Sequence, residues 1–275
     1  MNITFCGTAA GGLAPPRAAT SILLRRGDDA FLLDCGPGAL WRILESGVPL
    51  RRIHSVLISH LHMDHVQGFP ELLAHMVFPN GAIPSVQGPP GTSAYVERAA
   101  SLTQLVSRLP GVPHYDTPLE VPVLEVGDND ERELLGLKIR AVVVPHTPEL
   151  VCLARRIECE GRSLVFSGDT TPAPEIMVPL AAAANVLIHE CYSNEGIEDW
   201  VNGLRPNVAE NIRAAFAASH SELTRVCAIA KEAGVQRLVL THLNPGEKAD
   251  RLLATAERLF PGEVVVAQDG LGFEL

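Results

Sequence analysis

The sequence predicts an α/β fold in which buried strands deliver polar side chains to one reaction centre. Short apolar runs recur at Val56-Leu57-Ile58, Ala141-Val142-Val143-Val144, Leu164-Val165-Phe166, Val186-Leu187-Ile188 and Leu238-Val239-Leu240. Each is followed within three residues by a His or Asp: His60, His146, Asp169, His189 and His242. Fully buried strands read as continuous hydrophobic runs, and ligands in open α/β sheets gather at strand ends. The densest site is His60-Leu61-His62-Met63-Asp64-His65, which packs four metal-binding side chains into six residues. Such density after a buried strand points to a metal site rather than to packing.

The elements follow in order. Ile3 to Gly7 is a strand that runs into a small-residue loop, Thr8 to Arg17. That loop lacks the glycine spacing and the Lys-Ser/Thr of a P-loop. Ser21–Leu24 and Ala30–Asp34 form a hairpin around Gly27-Asp28-Asp29. A short helix then presents Leu40, Ile43 and Leu44 on one face and stops at Gly47. Ser55–Ser59 is the strand that delivers the histidine cluster. Gln67–Val77 and Ala94–Leu109 are helices, with a short strand near Val86 between them. Leu119–Val126 and Leu137–Val144 are strands joined by a polar turn at Gly127–Glu131. Asp199–Pro206 reads as loop and Asn207–Ala218 as helix. Ser221 caps a helix over Glu222–Ala233 that Gly234 ends. A helix over Ala249–Phe260 and a strand over Gly262–Ala267 close the chain.

At 275 residues, 47% apolar and 20% charged, the chain suits an ordinary globular protein. It shows no linker or repeat, so one domain over 1–275 is expected. A net charge of −10 argues against a broad nucleic-acid-binding surface, without excluding a local one. No apolar run reaches membrane-spanning length, so no membrane partner is expected. The first residues lack the basic and apolar regions of a secretory signal. Six cysteines without a C-x-x-C pair fit reduced, buried thiols in a cytoplasmic protein.

The candidate ligands are His60, His62, Asp64, His65, His146, Asp169 and His242. Two ions each want roughly four to five donors, with one carboxylate shared between them. Imidazole and carboxylate donors suit Zn2+, with Mn2+ and Fe2+ as alternatives. Metal binding lowers the pKa of water enough to provide a bridging hydroxide near neutral pH. His220 stands just before a helix, whose N-terminal dipole disfavours a permanent positive charge.

On these motifs, together with Ser167-Gly168-Asp169-Thr170, the chain resembles the metallo-β-lactamase fold superfamily. Phe5-Cys6-Gly7-Thr8 with Pro16-Arg17, Phe31 to Gly36, Ile188-His189-Glu190-Cys191 and Ser219-His220-Ser221 resemble its ribonuclease Z and phosphodiesterase branch. The resemblance implies a four-layer αβ/βα sandwich with the metals at one edge. It assigns His60, His62 and His146 to one ion, Asp64, His65 and His242 to the other, and Asp169 to both. It further implies that Asp64 handles the proton of the attacking water and that His220 protonates the leaving oxygen. A homodimer is common in that branch.

The chain departs from that branch in two places. The Gly-rich basic arm that grips tRNA is not visible between His146 and Asp169, where Arg155-Arg156 is the only basic cluster. Residues 194–218 read as an insertion near the active site. A phosphodiesterase acting on a small molecule is therefore expected. A lactonase or carboxylesterase, an arylsulfatase, a tRNA 3′-processing endonuclease and a non-catalytic binding protein are the alternatives. Glu190 is a candidate for orienting His220, and Arg17 for binding a substrate anion or solvating a loop. Asp34 either supports a metal ligand or makes a plain turn. Trp200, Phe69 and Phe78 are candidates for lining a pocket, while His54, His75 and His114 read as structural or surface residues.

Overall fold

The computed structural model describes residues 1–11, 14–77, 82–106 and 119–275. Its first half builds β1 (Asn2–Gly7), β2 (Ser21–Arg26), β3 (Asp29–Leu33), α1 (Ala39–Glu45), β4 (Ile53–Leu57), α2 (Met63–Val66), α3 (Phe69–Val77), β5 (Ser85–Gly88), α4 (Thr92–Val106) and β6 (Val123–Glu125). The second half adds β7 (Asp130–Leu134), β8 (Leu137–Val144), β9 (Cys152–Cys159), β10 (Arg162–Phe166), α5 (Pro174–Ala181) and β11 (Val186–Glu190). It continues with α6 (Asn194–Val201), α7 (Pro206–Ser219), α8 (Leu223–Ala233), β12 (Arg237–Thr241), α9 (Ala249–Leu259), β13 (Glu263–Val266) and β14 (Gly272–Glu274).

Two seven-stranded sheets result, in the orders β14-β1-β2-β3-β4-β5-β6 and β13-β12-β11-β10-β9-β8-β7. In each, an antiparallel portion leads into a parallel one: β3 to β6 in the first and β10 to β13 in the second. Parallel neighbours require a crossover, and helices supply most of it. The last strand, β14, returns to the first sheet and pairs antiparallel with β1.

Alternation along the strands makes the layers. Ile3, Phe5, Ile22, Phe31, Leu57, Ile157, Phe166 and Ile188 point between the sheets. Their neighbours Leu23, Leu32 and Val56 face Ile43 of α1, Leu72 and Met76 of α3 and Val96 of α4. On the far side, Val165, Leu187, Leu238 and Leu240 face Met177 of α5, Val226 of α8 and Leu252 of α9. Because both faces of each sheet are covered, the strands read as continuous apolar runs. The expected four-layer αβ/βα sandwich is the observed fold.

Several local expectations change. Leu44 is 46% exposed and does not join Leu40 and Ile43 on the buried face. The strand expected over Leu119–Val126 is confined to β6, and the expected polar turn, found at Asp128-Asn129, leads not into β8 but into a further strand, β7. There the chain leaves the first sheet and begins the second at β7, a charged edge strand that apolar periodicity does not reveal. Trp200 lies within α6 rather than in a loop, because the Ser193 hydroxyl accepts from the Gly196 N–H and caps that helix. Glu222, not Ser221, caps α8 by accepting from the Thr224 N–H at 2.9 Å. Strands β9 and β14 stand where the sequence pattern predicts no strand. The end of the helix expected to reach Leu109, along with His114 and Phe78, lies outside the described residues.

All six cysteines are buried and unpaired. Among the described residues, no helix is long and apolar enough to cross a membrane.

Phe31 is fully buried between the sheets. Phe31→Ala should destabilise the protein by about 3–5 kcal/mol. Trp41→Ala, at a side chain 67% exposed, should stay within about 0.5 kcal/mol. Urea unfolding of the two variants checks the contrast.

Candidate metal centre

The candidate ligands and Glu190 stand at the C-terminal ends of β4, β8, β10, β11 and β12 or just beyond them, and His220 follows α7. After β4 the chain runs through Ser59, His60 and His62 into the short helix α2, which carries Asp64 and His65. Close backbone packing holds α2 against the loop after β3. A Cβ at Gly36 would lie 2.2 Å from the Asp64 carbonyl, and one at Gly68 would lie 2.2 Å from the Gly36 carbonyl. His242 adopts a φ of 56° and Asp34 a φ of 58°, a left-handed backbone that costs free energy in residues bearing a Cβ.

The side chains fall into two groups that share Asp169. His60, His62, His146 and Asp169 form one, and Asp64, His65, His242 and Asp169 form the other. In the first, His60 Nε2 lies 2.9 Å and His146 Nε2 3.2 Å from His62 Nδ1. Asp169 Oδ2 stands 3.8 Å from His60 Nε2 and 3.9 Å from His146 Nε2. In the second, Asp64 Oδ2 is 3.2 Å from His242 Nε2 and 3.5 Å from His65 Nε2. The same Asp169 oxygen is 3.2 Å from His242 Nε2 and 3.4 Å from His65 Nε2.

Tetrahedral ligands at zinc bond lengths stand roughly 3.3–3.5 Å apart, so both groups have the spread that a first-row ion requires. His65 Nε2 is buried without a hydrogen-bond partner at the centre of the second group, a polar atom that a bound cation would satisfy. The donor set therefore fits binding of a divalent first-row metal.

The other nitrogen of several rings is fixed, which sets the tautomer. Asp34 Oδ2 accepts from His65 Nδ1 at 2.8 Å. Asp34 also accepts from the Ser59 N–H at 2.6 Å and the Ser59 hydroxyl at 2.7 Å. The Ser59 oxygen in turn lies 3.0 Å from His60 Nδ1. His146 Nδ1 donates to the Ser219 carbonyl at 2.7 Å. Of its two sequence readings, Asp34 takes the one that supports a candidate ligand.

Electrostatics sort the groups. Burial pulls His60, His62 and His146 below the ordinary imidazole range, which leaves neutral lone pairs. Burial works the same way on His65, but the carboxylates of Asp169, Asp64 and Asp34 outweigh it and raise its pKa well above that range. Burial opposes ionisation of Asp169, and the charges of His242 and His65 override it, so its carboxyl stays well below the ordinary range. This part of the site calls for positive charge, which a divalent ion also supplies.

Beside the two groups stands His220. Glu190 Oε1 and Oε2 each lie 3.1 Å from His220 Nδ1. Glu190 Oε1 also accepts from the Thr170 N–H at 3.0 Å. The His220 ring is stacked between Phe216, at 4.6 Å, and His242, at 5.4 Å. Burial lowers the His220 pKa, but the Glu190 charge and hydrogen bonds outweigh this and bring it to about 9. His220 is the C-cap of α7, so the nearest helix end favours positive charge there instead of disfavouring it as its place before α8 suggested.

Arg17 is committed elsewhere: its guanidinium donates to the Thr8 hydroxyl at 2.6 Å and to the Ala267 carbonyl at 2.7 Å. Phe69 opens α3 and is buried in the core against Tyr95, not in a pocket. Trp200 packs edge-on against Phe216. His54 bonds Asp29, and His75 bonds its own helix. His189 is buried with its Nδ1 against the Glu190 carbonyl, so Glu190 is the member of that pair that reaches His220. Ser59, Phe216 and the Ser219 carbonyl were not foreseen. Phe216 could have been found from its i, i+4 spacing to His220, whereas a backbone carbonyl leaves no signal.

A family profile described as "Anti-Pycsar protein Apyc1" matches residues 1–221. A curated ribonuclease Z of Mycobacterium bovis is 32% identical over 98% of this chain and 96% of its own length. The chain belongs to this family, in the ribonuclease Z and phosphodiesterase branch of the metallo-β-lactamase fold. As a member, it is a metal-dependent hydrolase of the phosphodiesterase type. The fold is shared with the metallo-β-lactamase fold protein YhfI of Bacillus subtilis, at TM-score 0.77 and 23% identity over 100% of this chain and 99% of that one. It is shared too with the short form of human tRNase Z, at TM-score 0.71 and 23% identity over 100% and 99%.

Replacing Asp34 with Ala frees the His65 ring and its tautomer. Zinc affinity measured by competition with a chelator should weaken about 10–100-fold. An unchanged affinity would show that His65 needs no such support.

Proposed function

We propose that the chain is a dinuclear hydrolase of a small phosphodiester. His60, His62 and His146 hold one divalent ion, Asp64, His65 and His242 hold the other, and Asp169 serves both. The observation that carries this reading is the pair of four-donor groups meeting at one buried carboxylate oxygen. Zn2+ suits this mixture of imidazole and carboxylate best, and Mn2+ and Fe2+ are accepted by the same donors. When bound, the ions supply Lewis acidity and a water of lowered pKa.

The remaining chemistry falls to the chain's own residues. Asp64 lies at the open side of the second group, its side chain 17% exposed, and can receive the proton of an attacking water. Its carboxyl is favourable to ionisation: burial raises its pKa, but His65 and His242 outweigh burial and bring it well below the ordinary range. His220, with Nδ1 held by Glu190, keeps a proton at neutral pH and gives it to the departing oxygen. Phe216 covers one face of that imidazole and shields it from water.

The small substrate is supported by residues 147–168, which fold as a turn and the compact β9–β10 hairpin. That leaves no arm for gripping RNA between His146 and Asp169. A second reading, cleavage of RNA at a tRNA 3′ end, is favoured by the ribonuclease Z name of relatives at about a third identity. Six buried, unpaired thiols support a reducing, cytoplasmic setting for the single hydrolase domain.

Chelation should abolish hydrolysis of bis-p-nitrophenyl phosphate, and two equivalents of Zn2+ per chain should restore it. One equivalent giving full activity would contradict the dinuclear reading. A panel of that diester, a cyclic mononucleotide and a tRNA precursor separates the substrates. A higher kcat/KM on the precursor would favour the RNA reading.

His220→Ala should lower kcat about 10²–10⁴-fold on a diester with a poor leaving group. On bis-p-nitrophenyl phosphate the loss should be much smaller, because p-nitrophenolate departs without a proton. Equal losses on both diesters would remove His220 from the proton-donor role.

A further inference from the structure

The loop after β12 carries more than His242. Asn244 Nδ2 donates to Glu247 Oε1 at 2.7 Å, and the Gly246 N–H donates to Asn244 Oδ1 at 2.9 Å. Glu247 Oε1 also accepts from the Ser193 N–H, and Oε2 from the Ser193 hydroxyl, both at 2.7 Å. That hydroxyl caps α6 by accepting from the Gly196 N–H at 2.9 Å. Every partner of the carboxylate is therefore a donor, and two of those donors come from the start of α6.

The loop and the helix touch along their backbones as well. A Cβ at Gly246 would lie 2.0 Å from the Gly196 carbonyl and 2.5 Å from the Trp200 nitrogen. A Cβ at Gly196 would lie 2.2 Å from the Glu247 carboxyl carbon. Only glycine at both positions lets the carboxylate reach its donors without a shift. Arg251 and Lys248, each 3.1 Å from Asp199, add a second tie between α6 and the start of α9.

From α6 the contacts lead back to the reaction centre. Trp200 meets Phe216 of α7 edge-on at 5.7 Å, and Phe216 stacks on His220 at 4.6 Å. One end of this path begins at the loop that carries His242, and the other ends on a ring stacked against His242.

We infer that Glu247 is a positioning residue: it docks α6 on the His242 loop and, through Trp200 and Phe216, sets where His220 stands over the reaction centre. This rests on the reading of His220 as proton donor. Glu247 touches neither that ring nor the candidate metal ligands, so its effect is on placement.

The test uses zinc-loaded protein in a Trp41→Phe background, which leaves Trp200 as the single tryptophan. Glu247→Ala should red-shift Trp200 emission and increase its quenching by acrylamide. On an alkyl phosphodiester, kcat should fall about tenfold or more, since a misplaced proton donor costs most where the leaving group is poor. On bis-p-nitrophenyl phosphate the loss should stay within about threefold, with zinc content unchanged. Glu247→Gln, which keeps the shape and one acceptor, should recover most of the difference. If Glu247→Ala does not fold, Ser193→Ala supports the same comparison, because it removes one donor to the carboxylate and the cap of α6.

Unchanged Trp200 emission, equal losses on the two diesters or a loss of zinc would each overturn the inference. If the unsubstituted protein cleaves neither diester, the hydrolase reading fails, and the Trp200 signal alone decides whether Glu247 docks α6.

Discussion

A carboxylate as deeply buried as Asp169 must be matched by positive charge, and much of the arrangement follows from that need. Leaving an ionised carboxyl uncompensated in an apolar interior costs several kcal/mol. Four imidazole nitrogens lie within 4 Å of its Oδ2, contributed by the segments after β4, β8 and β12 and by α2. Segments far apart in sequence must end at the same place for this to happen. The sandwich provides it, because the C-terminal ends of β4 in one sheet and β10 and β12 in the other open onto the same edge.

Convergence alone would leave the rings free to turn. What prevents this is a set of partners on the nitrogens that face away from the centre: Asp34 for His65, Ser59 for His60 and the Ser219 carbonyl for His146. The first two come from the β3 and β4 ends, which are part of the core. The third comes from the end of α7, so His146 is held by the same helix that brings Phe216 onto His220. Orientation of a candidate ligand and placement of His220 are thereby linked.

Much of the centre was legible in the sequence because its residues advertise themselves. A histidine cluster after an apolar run, and single His or Asp residues after other such runs, need no coordinates to be noticed. The place of Asp169 in both donor groups was legible only through family resemblance, since nothing in Ser167-Gly168-Asp169 says which groups its oxygen will meet. Strands β7 and β9 were hidden for opposite reasons. The charged sequence of β7 suits an edge and shows no apolar alternation, while β9 carries Arg155 and Arg156 in its middle and so breaks the apolar run. The α6 helix was masked by Gly196, which propensity counts against a helix and which packing against Glu247 requires. Contacts made by backbone groups, such as the Ser219 carbonyl on His146, have no residue-type signature at all.

Helices α6 and α7 share a small core of their own. Ala10, Tyr192, Ile197, Val201, Ala209 and Phe216 form a small cluster separate from the three large ones that hold the sheets and outer helices together. A side-chain change within that cluster alters few contacts of the sandwich, so its stability cost stays local. The candidate ligands, by contrast, sit on strand ends whose positions the large clusters determine. The sandwich fixes where the candidate ligands meet, and α7 places Phe216 against His220 beside them. Glu247 and Ser193 join the two parts at a polar contact, which holds a helix in place without merging it into the apolar core.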